Sequence, residues 1–131
     1  MDVGSNQGPP RRLFALRGAV QAEANEREAI LSATAELMRT LIERNSLEAD
    51  DMVSCIFTTT ADLDAEFPAV AARQLGLDTV PLLCTREIPV PGSMERVIRV
   101  MIHYYAPADA TPEHVYIGAT QALRADLDAA Q

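Results

Sequence analysis

Arginine is the residue type in this chain with the clearest capacity for chemistry. All eleven basic residues among the 131 are arginines, because the sequence contains no lysine. The missing lysine excludes a Schiff base, a lysine nucleophile and the phosphate-binding lysine of a Walker motif. Any anion must therefore be held by guanidinium groups, which suit carboxylates in two-pronged geometry. Genomic bias toward arginine is the alternative explanation for most of these residues.

Two arginines occupy positions that are typical of residues that bind an anionic ligand. Arg99 lies in an apolar run between Ile98 and Val100, where a charge is rarely left unpaired. It serves either as half of a structural salt bridge or as an anion contact in a dry pocket. Arg17 precedes Gly18, and a glycine there would allow the backbone to approach a ligand closely. The alternative for Arg17 is an ordinary turn residue.

The cysteines and histidines form no recognisable catalytic or metal-binding pattern. Cys84 could form a nucleophile pair with His103 or His114, but no activating signature accompanies it. A zinc site that also used Cys55 would need ligands in closely spaced pairs, and none of the four residues is so paired. We therefore expect no metal site, and we expect both cysteines to be reduced thiols of a cytoplasmic protein.

The composition excludes several classes of partner. The chain is 48% hydrophobic with a net charge of −8, which suits one folded domain with a buried core. Nucleic-acid binding needs a positive surface, and the Arg11-Arg12 pair is too short to provide one. No apolar stretch approaches the ~20 residues of a membrane span, and the polar N-terminus lacks the apolar region of a secretory signal.

The elements that must position these residues follow from hydrophobic periodicity and turn residues. Asn25 and Glu28 have the spacing of a capping box and predict the start of a long helix that ends near Arg44-Asn45. Along it the apolar residues Ile30, Ala33, Leu37 and Leu41 recur at helical spacing. Residues 1–11 predict a mobile tail. The other predicted elements are strands at 13–16 (ending at Arg17-Gly18), 52–60, 80–84, 96–105 and 114–117, and a short helix at 68–75.

This order of elements predicts an α+β domain with one mixed sheet, one long helix and short helices. A single long helix cannot cover both faces of such a sheet. The uncovered face, together with a strand as apolar as residues 97–105, predicts a homo-oligomer that buries sheet against sheet.

Several segments, taken in order, resemble the small monofunctional chorismate mutases of the trimeric, mixed-sheet class. The resemblance spans residues 13–127 and is specific as a set, although no single segment is. It places one domain at residues 12–127, with tails at 1–11 and 128–131. The segments are Leu16-Arg17-Gly18-Ala19, Thr59-Thr60-Ala61-Asp62-Leu63, Phe67-Pro68-Ala69 with Arg73, Val80-Pro81-Leu82-Leu83-Cys84-Thr85-Arg86-Glu87, Pro91-Gly92-Ser93, Arg96-Val97-Ile98-Arg99-Val100, His114-Val115-Tyr116, Leu123-Arg124 and Asp126-Leu127.

The resemblance implies a homotrimer whose sheets pack into a barrel-like core, with an active site at each subunit interface. It implies the [3,3] rearrangement of chorismate to prephenate, a step toward phenylalanine and tyrosine. The ligand is then a small dianion, and the reaction uses no cofactor, no metal and no covalent intermediate.

Roles for individual residues also come from the resemblance. Arg99 would donate a hydrogen bond to the ether oxygen of the substrate, and Arg17 would contact the side-chain carboxylate. Glu87 would accept a hydrogen bond from the ring hydroxyl, which Cys84 would help to position. Tyr116 would contact a carboxylate.

Further substrate contacts are implied at the edges of the site. Phe67 and Arg73 would come from the neighbouring subunit, and the C-terminal run through Arg124 would form a partial lid. The remaining contacts would be Leu83, Thr85, Arg86 and Leu123.

Two positions depart from the family pattern, and two other functions stay open. Val70 stands where relatives often have a charged residue, and Ala125 replaces an expected proline. The alternatives are a small trimeric imine or enamine deaminase and a non-catalytic acid-binding trimer. Glu87 argues against the second, because a pure binder has no reason to place a carboxylate beside a dianion.

Overall fold

A computed structural model describes residues 10–124. Within that range one mixed sheet has five strands in the order β3-β2-β4-β1-β5. β4 pairs antiparallel with both β1 and β2, whereas β3 is parallel to β2 and β5 is parallel to β1. The elements are β1 (Arg11–Gln21), α1 (Arg27–Asn45), β2 (Met52–Thr59), α2 (Ala69–Gln74), β3 (Leu82–Arg86), β4 (Val97–Pro107) and β5 (Val115–Tyr116), with 3-10 turns at Ala49–Asp51 and Gly118–Thr120.

The long helix α1 covers one face of the sheet. Its side chains Ile30, Leu37 and Leu41 are fully buried, as are Leu16 of β1 and Ile102 of β4. These residues belong to one continuous hydrophobic core, so the helical spacing seen in the sequence is the spacing of the buried stripe.

Gly18 is required by the packing of this helix. A Cβ atom at Gly18 would lie 2.9 Å from a Cδ1 atom of both Leu37 and Leu41, and 3.2 Å from the carbonyl oxygen of Val115. Gly18 is therefore needed for the close packing of α1, and the close approach of its backbone to a ligand stays a prediction.

The predicted capping box at the start of α1 is wrong. The N-cap residue is Glu26, and no side chain caps the helix there. The Oδ1 atom of Asn25 instead accepts hydrogen bonds from the backbone N–H groups of Asp64 and Ala65, both at 3.0 Å, and its Nδ2 donates to Asp64 Oδ1 at 2.7 Å. Asn25 therefore ties the beginning of α1 to the loop that follows β2.

Of the five strands, β1 and β3 differ most in extent from their predictions. β1 does not end at Arg17-Gly18 but continues to Gln21, because β4 pairs with it along its whole length. That strand also begins at Arg11, inside the predicted tail, while residues 1–9 of that tail lie outside the described residues. β3 begins at Leu82, two residues later than predicted, since its register against β2 starts there.

Among residues 10–124, neither α1 nor α2 lies over the opposite face of the sheet, as the element order predicted. We call it the open face. Apolar side chains are exposed on it, including Leu13, Leu83 and Tyr105. Strand alternation and register assign to the open face Leu13, Ala15 and Arg17 of β1, Ser54, Ile56 and Thr58 of β2, Leu83 and Thr85 of β3, and Arg99, Met101, His103 and Tyr105 of β4.

Candidate active site

The sheet register brings three charged residues together on the open face. Arg99 of β4 lies opposite Ala19 on β1 and opposite Thr58 on β2. Arg17 is two residues before Ala19, so its side chain is on the same face. Glu87 directly follows β3, and its backbone N–H donates to the carbonyl oxygen of Thr59 at 2.9 Å. Each of these positions depends on a strand pairing that links distant parts of the chain.

A small cavity lies between these side chains. Its volume is about 160 Å³, and Tyr116 of β5 completes its wall. A larger cleft of about 600 Å³ shares Glu87 and Arg99 with it and extends to Leu123. The lining residues of the small cavity are Arg17, Gly18, Ile56, Thr58, Glu87, Arg99, Val100, Met101 and Tyr116.

Glu87 and Arg99 form a loose ion pair inside this cavity. The Oε2 atom of Glu87 lies 3.4 Å from Nε of Arg99, and the same Oε2 accepts a hydrogen bond from the hydroxyl of Thr58. The Nε atom of Arg99 is buried and has no hydrogen-bond partner among residues 10–124. A distance of 3.4 Å is beyond that of a charge-assisted hydrogen bond. Arg99 therefore fits both interpretations from the sequence. It has a carboxylate partner in Glu87, and its Nε–H is still free to bind an anion.

His114 holds the β5 end of the site in place. Its Nδ1 accepts a hydrogen bond from the backbone N–H of Arg17 at 3.0 Å. Burial, and then the charges of Arg17 and Arg124, lower the pKa of His114 below its usual value. The ring is therefore neutral with its proton on Nε2, and it fixes the strand that presents Tyr116. Sequence reasoning found no partner for this histidine.

A second group of the predicted residues lines a different cleft of the same chain. This cleft of about 490 Å³ contains Phe67, Cys84, Thr85 and Arg86, and the side chain of Phe67 is 65% exposed. Arg73 lies exposed on α2. Within one chain, the residues that the resemblance groups into one site are therefore divided between two surfaces.

Arg86 has a visible structural task in that second cleft. Its Nη1 donates to the carbonyl oxygens of Thr60 at 2.9 Å and Leu63 at 3.0 Å. These bonds hold the loop after β2, which leads to Phe67. The substrate contact expected of Arg86 stays a prediction.

The C-terminal residues of the site lie near Tyr116. Arg124 lines a third cleft of about 620 Å³ together with Arg44 of α1 and Tyr116. Leu83 is exposed on the open face. Ala125, where the chain departs from the family pattern, lies outside the described residues.

The remaining sulfur and imidazole groups are not arranged for covalent or metal chemistry. Burial raises the pKa of the Cys55 thiol to about 12, so it stays protonated. Cys55 and Cys84 are both free thiols, and no histidine lines the cleft around Cys84. His103 instead shares a hydrogen bond of 3.2 Å with Ser54. In the described range, no cluster of three or more His, Cys, Asp or Glu residues could hold a metal ion.

Across residues 10–124, no helix combines the length and the apolar character needed to cross a membrane.

Comparison with known proteins assigns the chain to a family. The sequence profile of the family "Chorismate mutase type I" matches residues 13–127. The chain belongs to this family. It is a chorismate mutase, which converts chorismate to prephenate in aromatic amino acid biosynthesis.

Individual relatives support the same assignment along nearly the whole domain. This chorismate mutase is 45% identical over 119 residues to the chorismate mutase AroH of Thermus thermophilus, which covers 88% of this chain and 97% of the relative. It is 38% identical over 115 residues to AroH of Bacillus subtilis strain 168, covering 86% of this chain and 90% of the relative.

A solved structure matches the fold as well. The chorismate mutase of Clostridium thermocellum superimposes with a TM-score of 0.78 at 43% identity, over 83% of this chain and 98% of that one. Family membership decides between the three functions that the sequence left open, in favour of the mutase.

Proposed function

We propose that this chorismate mutase performs its rearrangement in the open-face cavity and that Arg99 is its principal electrostatic group. The observation on which this rests is the buried Nε of Arg99, which has no hydrogen-bond partner among residues 10–124. A buried donor without a partner costs about 1–3 kcal/mol. That cost is recovered when a ligand oxygen accepts the bond.

The reaction gives such a donor a larger role in the transition state than in the ground state. In one concerted step the ether C–O bond breaks and a new C–C bond forms, with no proton transferred. Negative charge builds on the enolpyruvyl oxygen as the bond breaks. A hydrogen bond from Arg99 to that oxygen strengthens during the step, and such differential binding accelerates the reaction.

The other residues of the cavity hold the substrate in its reactive shape. Arg17 and Tyr116 bind the carboxylates, and Glu87 accepts a hydrogen bond from the ring hydroxyl. The substrate must adopt a compact, chair-like conformer, so selecting this conformer contributes part of the acceleration. Because the chain has a net charge of −8, the arginines must concentrate positive potential locally to attract a dianion.

We also propose that the active enzyme is a homotrimer with sites shared between subunits. The cavity of about 160 Å³ that Arg17, Arg99 and Tyr116 share is smaller than the roughly 300 Å³ at which ligand pockets begin, so a substrate held by all three residues must extend beyond it, into the cleft beside Glu87. The cleft around Phe67 and Cys84 supplies the missing wall if it comes from a neighbouring subunit. Exposed Leu13, Leu83 and Tyr105 would then be buried between sheets.

The C-terminal residues complete this proposed site as a partial lid. Leu123 lines the larger cleft beside Glu87 and Arg99, and Arg124 lies on the other side of Tyr116. A cationic residue there would reinforce the attraction of carboxylates to the site.

Complementation between two inactive variants tests the shared site. Arg99→Ala and Arg73→Ala alter opposite halves of the proposed interface, and loss of chorismate absorbance reports activity. Refolding the two variants together should restore part of the activity, since some mixed trimers contain an interface with both arginines intact. Arg39→Ala, an exposed position on α1, serves as the control variant. A mixture no more active than its components would contradict the shared site, and so would a fully active monomer in sedimentation.

A further inference from the structure

We propose that Thr58 is a positioning residue for this reaction: it holds the Glu87 carboxylate clear of Arg99, so that the Nε–H of Arg99 stays open to the substrate. This inference rests on the proposed function. Thr58 is not one of the residues that the family resemblance assigned to the site.

The backbone around Thr58 fixes the relation between the three side chains. Thr58 is the Cα partner of Arg99 on one side and of Thr85 on the other. The next residue, Thr59, accepts the backbone hydrogen bond from Glu87 at 2.9 Å. Thr58 therefore lies on β2, between the strand that carries Arg99 and the strand that leads to Glu87, and its hydroxyl is the group that can reach the carboxylate.

A single carboxylate oxygen receives both interactions. Oε2 of Glu87 accepts the hydroxyl hydrogen of Thr58, and it lies 3.4 Å from Nε of Arg99. Carboxylate and guanidinium groups that are free to approach form hydrogen bonds of about 2.7–2.9 Å. Glu87 and Arg99 are therefore held apart. The Oε2 atom of Glu87 accepts its hydrogen bond from the hydroxyl of Thr58 instead of from Arg99.

This arrangement would favour catalysis because it leaves both the Glu87 carboxylate and the Arg99 guanidinium free to bind the substrate. If Glu87 closed onto Arg99, the carboxylate would lose its place for the ring hydroxyl and the guanidinium would lose its free donor. The substrate would have to break that ion pair before it could bind productively. A hydroxyl that satisfies Glu87 without adding charge avoids this competition.

Replacement of the hydroxyl by a methyl group tests the role. Thr58→Val keeps the shape and the β-branched character that suits a strand, and Thr58→Ser keeps the hydroxyl. We expect Thr58→Val to lower kcat for chorismate by roughly 10-fold or more, with the thermal midpoint and the sedimentation coefficient unchanged. Thr58→Ser should recover most of the rate. Wild-type kcat in Thr58→Val, or a loss that serine does not repair, would overturn the inference.

A double variant distinguishes positioning from a general effect on the sheet. In a Glu87→Gln background the charge that pairs with Arg99 is gone, so adding Thr58→Val should change kcat by less than roughly 2-fold. If kcat of the double variant fell by the product of the two single-variant losses, the two residues would act independently and the inference would be overturned. Ser54→Ala removes a hydroxyl from the same strand and face but outside the cavity, and it should leave kcat unchanged. If Arg99→Ala kept full activity, the proposed site itself would be wrong, whereas an unimpaired Thr58→Val beside an impaired Arg99→Ala would refute only the role of Thr58.

Discussion

The backbone N–H of Arg17 and the Nδ1 atom of His114 are joined by a hydrogen bond of 3.0 Å across 97 positions of sequence. The bond exists only while the imidazole is neutral, because a protonated ring has no lone pair on Nδ1 to offer. One edge of the proposed site, the strand that presents Tyr116, therefore depends on the protonation state of a histidine outside the cavity.

Folding stability should fall as the pH is lowered through the range in which His114 titrates. The pKa of His114 in the folded chain lies below its usual 6.5, so the unfolded chain binds more protons in this range. The contribution of His114 to the free energy of unfolding should therefore be constant above a pH of about 6.5 and decline as pH falls toward the folded-state value. Urea unfolding at a series of pH values measures this decline.

His114→Asn is the matched variant for that measurement. Its side-chain oxygen can accept the Arg17 hydrogen bond without titrating, so we expect a flatter dependence of stability on pH. An equally steep decline in this variant would show that another group is responsible.

Gly18→Ala should destabilise the fold by about 1–3 kcal/mol, because the added methyl group would force its neighbours to shift. Its Cβ would lie 2.9 Å from the Cδ1 atoms of Leu37 and Leu41. Chemical denaturation gives the change in unfolding free energy. Combined with Leu37→Ala, the substitution should cost less than the sum of the two single changes. Simple additivity would mean that Gly18 and Leu37 are not in steric contact.

Asn25→Asp separates the observed role of Asn25 from the helix cap predicted by its sequence. A cap tolerates aspartate about as well as asparagine. In the structure the Nδ2 of Asn25 donates to Asp64 at 2.7 Å, and aspartate would replace this donor with a second negative charge. Because Asn25 is exposed, we expect a loss of about 0.5–1.5 kcal/mol in unfolding free energy. If the Asn25→Asp variant were as stable as the wild-type protein, the result would support the predicted helix cap and contradict the bonds to the loop after β2.

Arg99→Ala should lower kcat by about 100-fold or more while leaving the assembly intact. Arg99→Lys should recover little of this, since an ammonium group cannot present the planar guanidinium donor at the same place. Initial rates of chorismate loss and sedimentation measure the two properties. Near-normal turnover in Arg99→Ala would refute the assignment of the ether-oxygen contact.

Features that depend on local sequence were predicted well. The periodicity of Ile30, Leu37 and Leu41 correctly identified α1 and its buried stripe. Helix α2 lies within the short helix predicted at 68–75, and it ends before Gly76, whose φ of +92° is the left-handed conformation that glycine adopts easily. Arg99 was recognisable as unusual because a charge interrupted an apolar strand.

Features that depend on distant pairing were not predictable in the same way. The bonding partners of Asn25 lie 39 and 40 residues away, so its spacing from Glu28 suggested a cap that does not form. β1 continues past Gly18 because β4 pairs with it, and no local signal records that. Thr58 escaped notice because threonine is ordinary in a strand, and only the register shows that it faces Arg99.

The central position of β4 has a consequence for local motion. Arg99 lies on the middle strand of the sheet, which is hydrogen-bonded to β1 on one side and to β2 on the other. Opening that segment would require the separation of both neighbouring strands, so it needs nearly the free energy of global unfolding. The backbone amides around Arg99 should be among the last in the chain to exchange with deuterium. The charge proposed to stabilise the transition state is thus attached to the middle strand of the sheet, where the backbone can move only if its pairing with β1 or β2 is broken.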